Sequence, residues 1–120
     1  MTTTYVQKGD VITITAGATL TSGQVVRVGN LLGVATAGIA NGAVGEVALT
    51  GVHTVPKVAG AVIAIGETLT WDASAAAFDD NLAVAAAGDI TGAAAVAFEA
   101  AGNGVTTMDV LFTGTPGTLN

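Results

Sequence analysis

The sequence predicts an all-β fold, a small single-domain β-sandwich or barrel of short antiparallel strands with little helix. Three observations point to it. Apolar and β-branched residues alternate with period two in short runs, of which Val11-Ile12-Thr13-Ile14-Thr15 is the cleanest. Glycine, present 17 times, falls at most junctions between those runs. Together the runs and turns give about nine short segments, the spacing of an antiparallel sandwich or barrel. The recurring Gly-Val and Gly-Ala pairs keep no fixed period, so no solenoid is expected.

Residues 5–7 form a short extended segment closed by Lys8-Gly9-Asp10. In the run that follows, Ile12 and Ile14 face inward and Thr13 and Thr15 outward. Residues 17–23 are turn-rich. Residues 24–28 and 31–35 flank Gly29-Asn30, a two-residue connection suited to a II′ or I′ hairpin. Residues 37–42 are a loop. The stretch 45–72 then reads as the centre of the fold. Val47 and Leu49 share one face of a strand, Thr50-Gly51 turns the chain, and residues 52–55 return antiparallel. Pro56 ends that strand because it brings no N–H to a ladder. Lys57 is expected at a surface corner. After a small-residue crossing over 58–66, Thr68-Leu69-Thr70-Trp71 forms a strand closed by Asp72.

Beyond Trp71 two readings compete. Residues 73–78 and 82–87 are alanine-rich, which favours helix. Asp79-Asp80-Asn81, Gly88-Asp89 and Gly92 punctuate them at strand-and-turn spacing, and strands are favoured on that ground. Residues 93–99 are another apolar run. After the Gly102-Asn103-Gly104 loop, Met108, Val110 and Phe112 alternate with Thr107, Asp109 and Leu111. Residues 1–112 are expected to be one β domain with 1–6 as an N-terminal arm. Residues 113–120 have linker composition and are expected to be a flexible tail.

Composition narrows the function. A 120-residue chain buries roughly two-thirds of the surface its unfolded form exposes. Here 24 of the apolar residues are alanine and five are aromatic, so the core is thin and association would add stability. Without cysteine, disulfides and thiolate metal sites are excluded. Nine acidic residues against three basic give a net charge of −6, which cannot form the cationic patch that nucleic acid or an anionic membrane requires. No apolar run reaches the ~18 residues of a membrane span. The N-terminus lacks the pattern of a secretion signal, so a soluble cytosolic product is expected.

Catalysis finds little support. His53 is the only imidazole, and neither Ser22 nor Ser74 lies in a Gly-x-Ser-x-Gly elbow. A hydrolase would need His53 beside an activated nucleophile. No phosphate-cradling Gly-x-x-x-x-Gly-Lys-Ser/Thr occurs. Asp72, Asp79, Asp80 and Asn81 would converge if residues 71–82 form a hairpin, and their oxygens suit Ca²⁺. Their spacing is not that of an EF-hand, and turn chemistry is the favoured reading of them. No enzyme activity, cofactor or metal is therefore expected. The 18 threonines suit strand faces that pack laterally against other subunits. Trp71, the only tryptophan, is expected in the core or at a subunit contact. A carbohydrate-binding or fibre-associated β-module is the alternative, and it would need exposed aromatic rings.

Four segments together resemble the short phage and prophage capsid cement (decoration) proteins grouped as DUF2190. They are Tyr5-Val6-Gln7-Lys8-Gly9-Asp10-Val11-Ile12-Thr13-Ile14-Thr15; Ser22-Gly23-Gln24 with Val28-Gly29-Asn30-Leu31-Leu32-Gly33-Val34-Ala35; Gly45-Glu46-Val47-Ala48-Leu49-Thr50-Gly51-Val52 with Val55-Pro56-Lys57; and Thr70-Trp71-Asp72. His53 stands where an aromatic or apolar residue is usual, and Thr70 where Tyr is common. The resemblance implies a non-enzymatic virion protein, made in the host bacterial cytoplasm. It would bind the major capsid protein on the outside of the head as homotrimers, at three-fold and quasi-three-fold positions. Thr4, Tyr5, Val6 and Gln7 are the candidate capsid or subunit interface.

Overall fold

The computed structural model describes residues 9–120. They contain no helix and eleven strands: β1 (Val11–Thr15), β2 (Val25–Val28), β3 (Leu31–Ala35), β4 (Val44–Ala48), β5 (Thr50–Pro56), β6 (Thr70–Asp72), β7 (Ala77–Asp79), β8 (Ile90–Thr91), β9 (Ala95–Ala97), β10 (Thr107–Thr113) and β11 (Thr118–Leu119). Three sheets result, ordered β1-β4-β3-β2, β5-β10-β9 and β11-β8-β6-β7. Every pairing between these strands is antiparallel. The all-β architecture is the one the alternation and turn spacing imply.

The β2–β3 hairpin forms where expected, with Val28 opposite Leu31. Gly29 at φ +59° followed by Asn30 outside positive φ is the II′ arrangement, whose twist matches the flanking strands. The hairpin expected over 45–55 does not form. The chain passes from β4 to β5 through the single buried residue Leu49, and β5 pairs with β10. The reason is that both edges of β4 are occupied, by β1 on one side and β3 on the other. Thr50 and Gly51, read as a turn, are the first residues of β5 and lie opposite Thr113 and Phe112. Pro56 ends β5 as expected.

Two further expectations fail locally. Residues 82–87 are an irregular loop rather than a strand, with Leu82 86 % and Val84 96 % exposed. The turn chemistry of Asp80 explains the break, since its carboxylate accepts the Leu82 N–H and its carbonyl accepts the Ala83 N–H. Residues 113–120, read as a flexible tail, run back along the domain. Thr118 and Leu119 pair with Thr91 and Ile90, and the Gly117 N–H donates to the Asn30 carbonyl at 2.8 Å. A Cβ on Gly117 would lie 2.6 Å from both Ile90 Cγ2 and the Thr91 carbonyl oxygen. Gly117→Ala is therefore expected to lower stability by about 1–3 kcal/mol through overpacking, as read by denaturant titration. Unchanged stability would show that the tail is not seated there.

The core cluster gathers residues of β5, β9 and β10 with others of β6, β7 and β8, and with Val25, Leu32 and Val34 of β2 and β3. Along β10 the period-two pattern is strict: Met108, Val110 and Phe112 are buried, and Thr107 and Leu111 are exposed. Bulk is concentrated in a line of rings. Trp71 meets Phe78 at 5.0 Å between centroids, and Phe78 meets Phe112 at 5.8 Å, both edge to face. Ala94, Ala95, Ala97 and Ala101 fill the space around them. The thin core implied by composition is thus a short aromatic spine set in small residues.

Candidate functional site

Trp71, on β6 and paired with Phe78, belongs to the core cluster and is 7 % exposed. Its remaining edge lines a cleft of about 550 Å³ shared with Thr21, Ser22, Gln24, Val25, Pro56, Ala73 and Ala76. The polar groups there are hydroxyls and one amide, and the Gln24 Oε1 already accepts the Thr21 N–H and Oγ1–H. That lining carries no acid–base pair. The described aromatic rings, Phe98 apart, are buried, so the cleft offers no open face on which a sugar could stack. Thr4, Tyr5, Val6 and Gln7 lie outside the described residues.

His53 sits on the core-facing side of β5, edge-on to Phe112 at 5.6 Å, with Nε2 3.4 Å from the Thr50 carbonyl oxygen. Neither serine partners it. Ser22 Oγ donates to the Thr36 carbonyl, and Ser74 Oγ donates to Asp72. The β6–β7 hairpin forms as the sequence suggests, yet its carboxylates serve turns. Asp72 Oδ1 accepts from Ser74 N, Ser74 Oγ and Ala75 N, while Asp79 Oδ1 accepts from Asp80 N. Among the described residues no three acidic or imidazole groups assemble as a metal-ligand set.

The Ser74 hydroxyl, then the Ala75 N–H, hold the Asp72 carboxyl below its ordinary value of 3.8; desolvation opposes them and the Ser74 N–H adds to them. A carboxylate depressed in the folded state adds stability that is present above its unfolded value. That stability is lost as pH falls through the folded one. Asp72→Ala should therefore lower the melting temperature slightly at pH 7 and lose that difference at the acid end of the titration. A difference that persists unchanged in acid would contradict this.

Lys57 departs most from expectation. Read as a surface corner, it is 3 % exposed. Its Nζ donates to the carbonyls of Val58 (2.8 Å), Gly102 (3.0 Å) and Val105 (3.2 Å), with Ala59 O at 3.5 Å. The Lys57 N–H bonds to Thr106 and Lys57 bridges to Phe78, which turns the residue inward between β10 and β7. The ammonium thereby clasps loop 58–60 to loop 102–105. Of the three basic residues, Lys8 is outside the described region and Lys57 is buried, so Arg27 on β2 is the exposed one among the described residues.

Two exposed apolar surfaces stand out. The outer face of β5-β10-β9 carries a cross-strand row, Val52–Leu111–Val96, flanked by the Thr50/Thr113 and Thr54/Asp109 pairs. This is the threonine-bearing strand face expected from the sequence. The second surface was not legible there. Residues 64–67 form a turn with Ile65 at its tip, closed by Glu67 N to Ala64 O. Glu67 Oε1 accepts from Ala64 N and Oε2 from Asn81 N, and Gly66 N bonds to Ala97 O. Ile65, Leu82 and Phe98 are thus carried on loops tied to one turn, and all three are exposed, Ile65 by 72 % and Phe98 by 53 %.

Among the described residues, these two exposed apolar surfaces are the features left outside the core. A family model described as phage cement protein matches residues 6–112, from the segment before β1 to Phe112 in β10. The chain belongs to the phage cement protein family. The match takes in the β2–β3 hairpin, the Lys57 clasp and the aromatic spine, and it stops short of β11. A search of curated proteins returned no match. Membership in the cement family points to a structural, non-enzymatic role and to a place on the capsid of a virion.

Proposed function

We propose that this cement protein binds the outer surface of a bacteriophage head as homotrimers at three-fold and quasi-three-fold positions and stabilises the shell. The family match over residues 6–112 carries the reading. The fold supports it: a core of three large rings set among alanines gains from burial against a neighbour. The major capsid protein is the partner, and the host bacterial cytoplasm is where the chain is made. Each subunit adds a modest contact across neighbouring capsomers, and trimerisation multiplies those contacts through effective concentration.

In this reading the threonine-bearing face of β5-β10-β9 joins neighbouring subunits in a closed ring of heterologous contacts. The N-terminal segment around Tyr5 and Val6 reaches the shell or a neighbour. Light scattering at high concentration tests the trimer, and a monomer there removes it. Deleting residues 1–6 should leave the melting temperature unchanged while weakening co-sedimentation with heads. Equal co-sedimentation would remove the role given to the N-terminus.

A further inference from the structure

Ile65, Leu82, Val84 and Phe98 are exposed and lie outside the core cluster. Leu82 and Val84 are almost wholly in solvent, and the aromatic spine lies elsewhere. Exposed leucine and valine at loop tips, rather than scattered over strands, mark an interaction surface. Hydrogen bonds from one turn tie the loops that carry Ile65 and Leu82. Both carboxylate oxygens of Glu67 are spent on N–H groups of the two loops, and the Ala97 N–H bonds to the Glu67 carbonyl. A surface ordered before binding loses less entropy when it docks.

The charges around it choose the occupant. Glu67 links the two loops, Asp80 precedes Leu82 by two residues, and Glu99 follows Phe98. A second copy seated patch to patch would set these carboxylates against their own images, and like charges facing across an interface are costly. Seated elsewhere, a second copy offers Arg27 as its exposed cation among the described residues. We infer that the Ile65–Leu82–Val84–Phe98 surface meets the phage shell, and that the shell there presents apolar side chains ringed by lysine or arginine. This rests on the cement reading and names the partner chemistry of its shell-facing side.

The test uses the full chain and heads of the cognate phage assembled without it, with affinity read by co-sedimentation. Leu82→Asp/Val84→Asp should bind at least about tenfold more weakly, as for a truncated interface anchor, with melting temperature and solution mass unchanged. Asp80→Asn/Glu99→Gln keeps the hydrogen-bond acceptors and removes two charges. It should bind several-fold more weakly, with a shallower dependence on salt.

Wild-type affinity in Leu82→Asp/Val84→Asp would overturn the assignment of this surface. Loss of solution mass in that variant would overturn it too, because the surface would then join copies. Tighter binding by Asp80→Asn/Glu99→Gln would overturn the basic shell. If the unaltered chain itself fails to bind the heads, the cement reading falls and takes this inference with it. If the unaltered chain binds and the variants match it, only the surface assignment falls.

Discussion

Phe78→Ala is expected to lower the unfolding free energy by about 3–5 kcal/mol. Phe78 is fully buried and stands between Trp71 and Phe112, so its removal empties the junction of the aromatic spine. The loss falls at the upper end of the range because the surrounding Ala94, Ala95 and Ala97 have no longer side chains to swing into the space. Trp71→Ala is expected to cost somewhat less, since the cleft at its edge lets water enter part of the vacated volume. Urea titrations with unchanged slopes would measure both. A loss under about 1 kcal/mol for Phe78→Ala would mean that the spine is not the centre of the core.

Lys57→Met should destabilise the fold by about 2–4 kcal/mol, the loss of charge-assisted hydrogen bonds from a site water cannot readily enter. Methionine keeps much of the stem but leaves the Val58, Gly102 and Val105 carbonyls without their donor. The effect should be visible locally as well as globally. Gly104 N–H bonds to the Ala59 carbonyl across the same two loops, so its hydrogen exchange should quicken ahead of amides in β10. Stability within about 0.5 kcal/mol of the parent chain would show that the ammonium is not a clasp.

The fold was legible wherever the partner of a strand is its neighbour in sequence. Val28-Gly29-Asn30-Leu31 states its own hairpin, and the alternation of Met108, Val110 and Phe112 states which face of β10 is buried. Legibility failed where the partner is distant. The segment 45–55 has the composition of a hairpin, and only the occupation of both edges of β4 by β1 and β3 sends β5 to β10. The same holds for Lys57, whose environment is built by carbonyls from residues 102 and 105. The role of Thr50-Gly51 as strand rather than turn follows from Thr113 and Phe112.

The two exposed apolar surfaces were half legible. Threonines on alternating strand positions announce a solvent face, and the structure puts them beside Val52 and Leu111 on β5 and β10. Leu82 and Val84, in contrast, fall in an alanine-rich run that its flanking turns mark as a strand. What exposes them is the turn at Asp80, and periodicity does not reveal that a short apolar run has lost its ladder. Aspartates at strand ends point to turns in the sequence, with calcium the less favoured reading. The hydrogen bonds of Asp72, Asp79 and Asp80 show the turn chemistry.

The central claim, attachment to the outside of a phage head, is tested most directly by imaging. Purified protein would be added to heads of its phage assembled without it, and the particles reconstructed by cryo-electron microscopy. The account predicts added density on the outer surface at the three-fold and quasi-three-fold positions, each a group of three copies into which residues 9–120 fit. Heads that stay bare at saturating protein, or density confined to the interior, would contradict it.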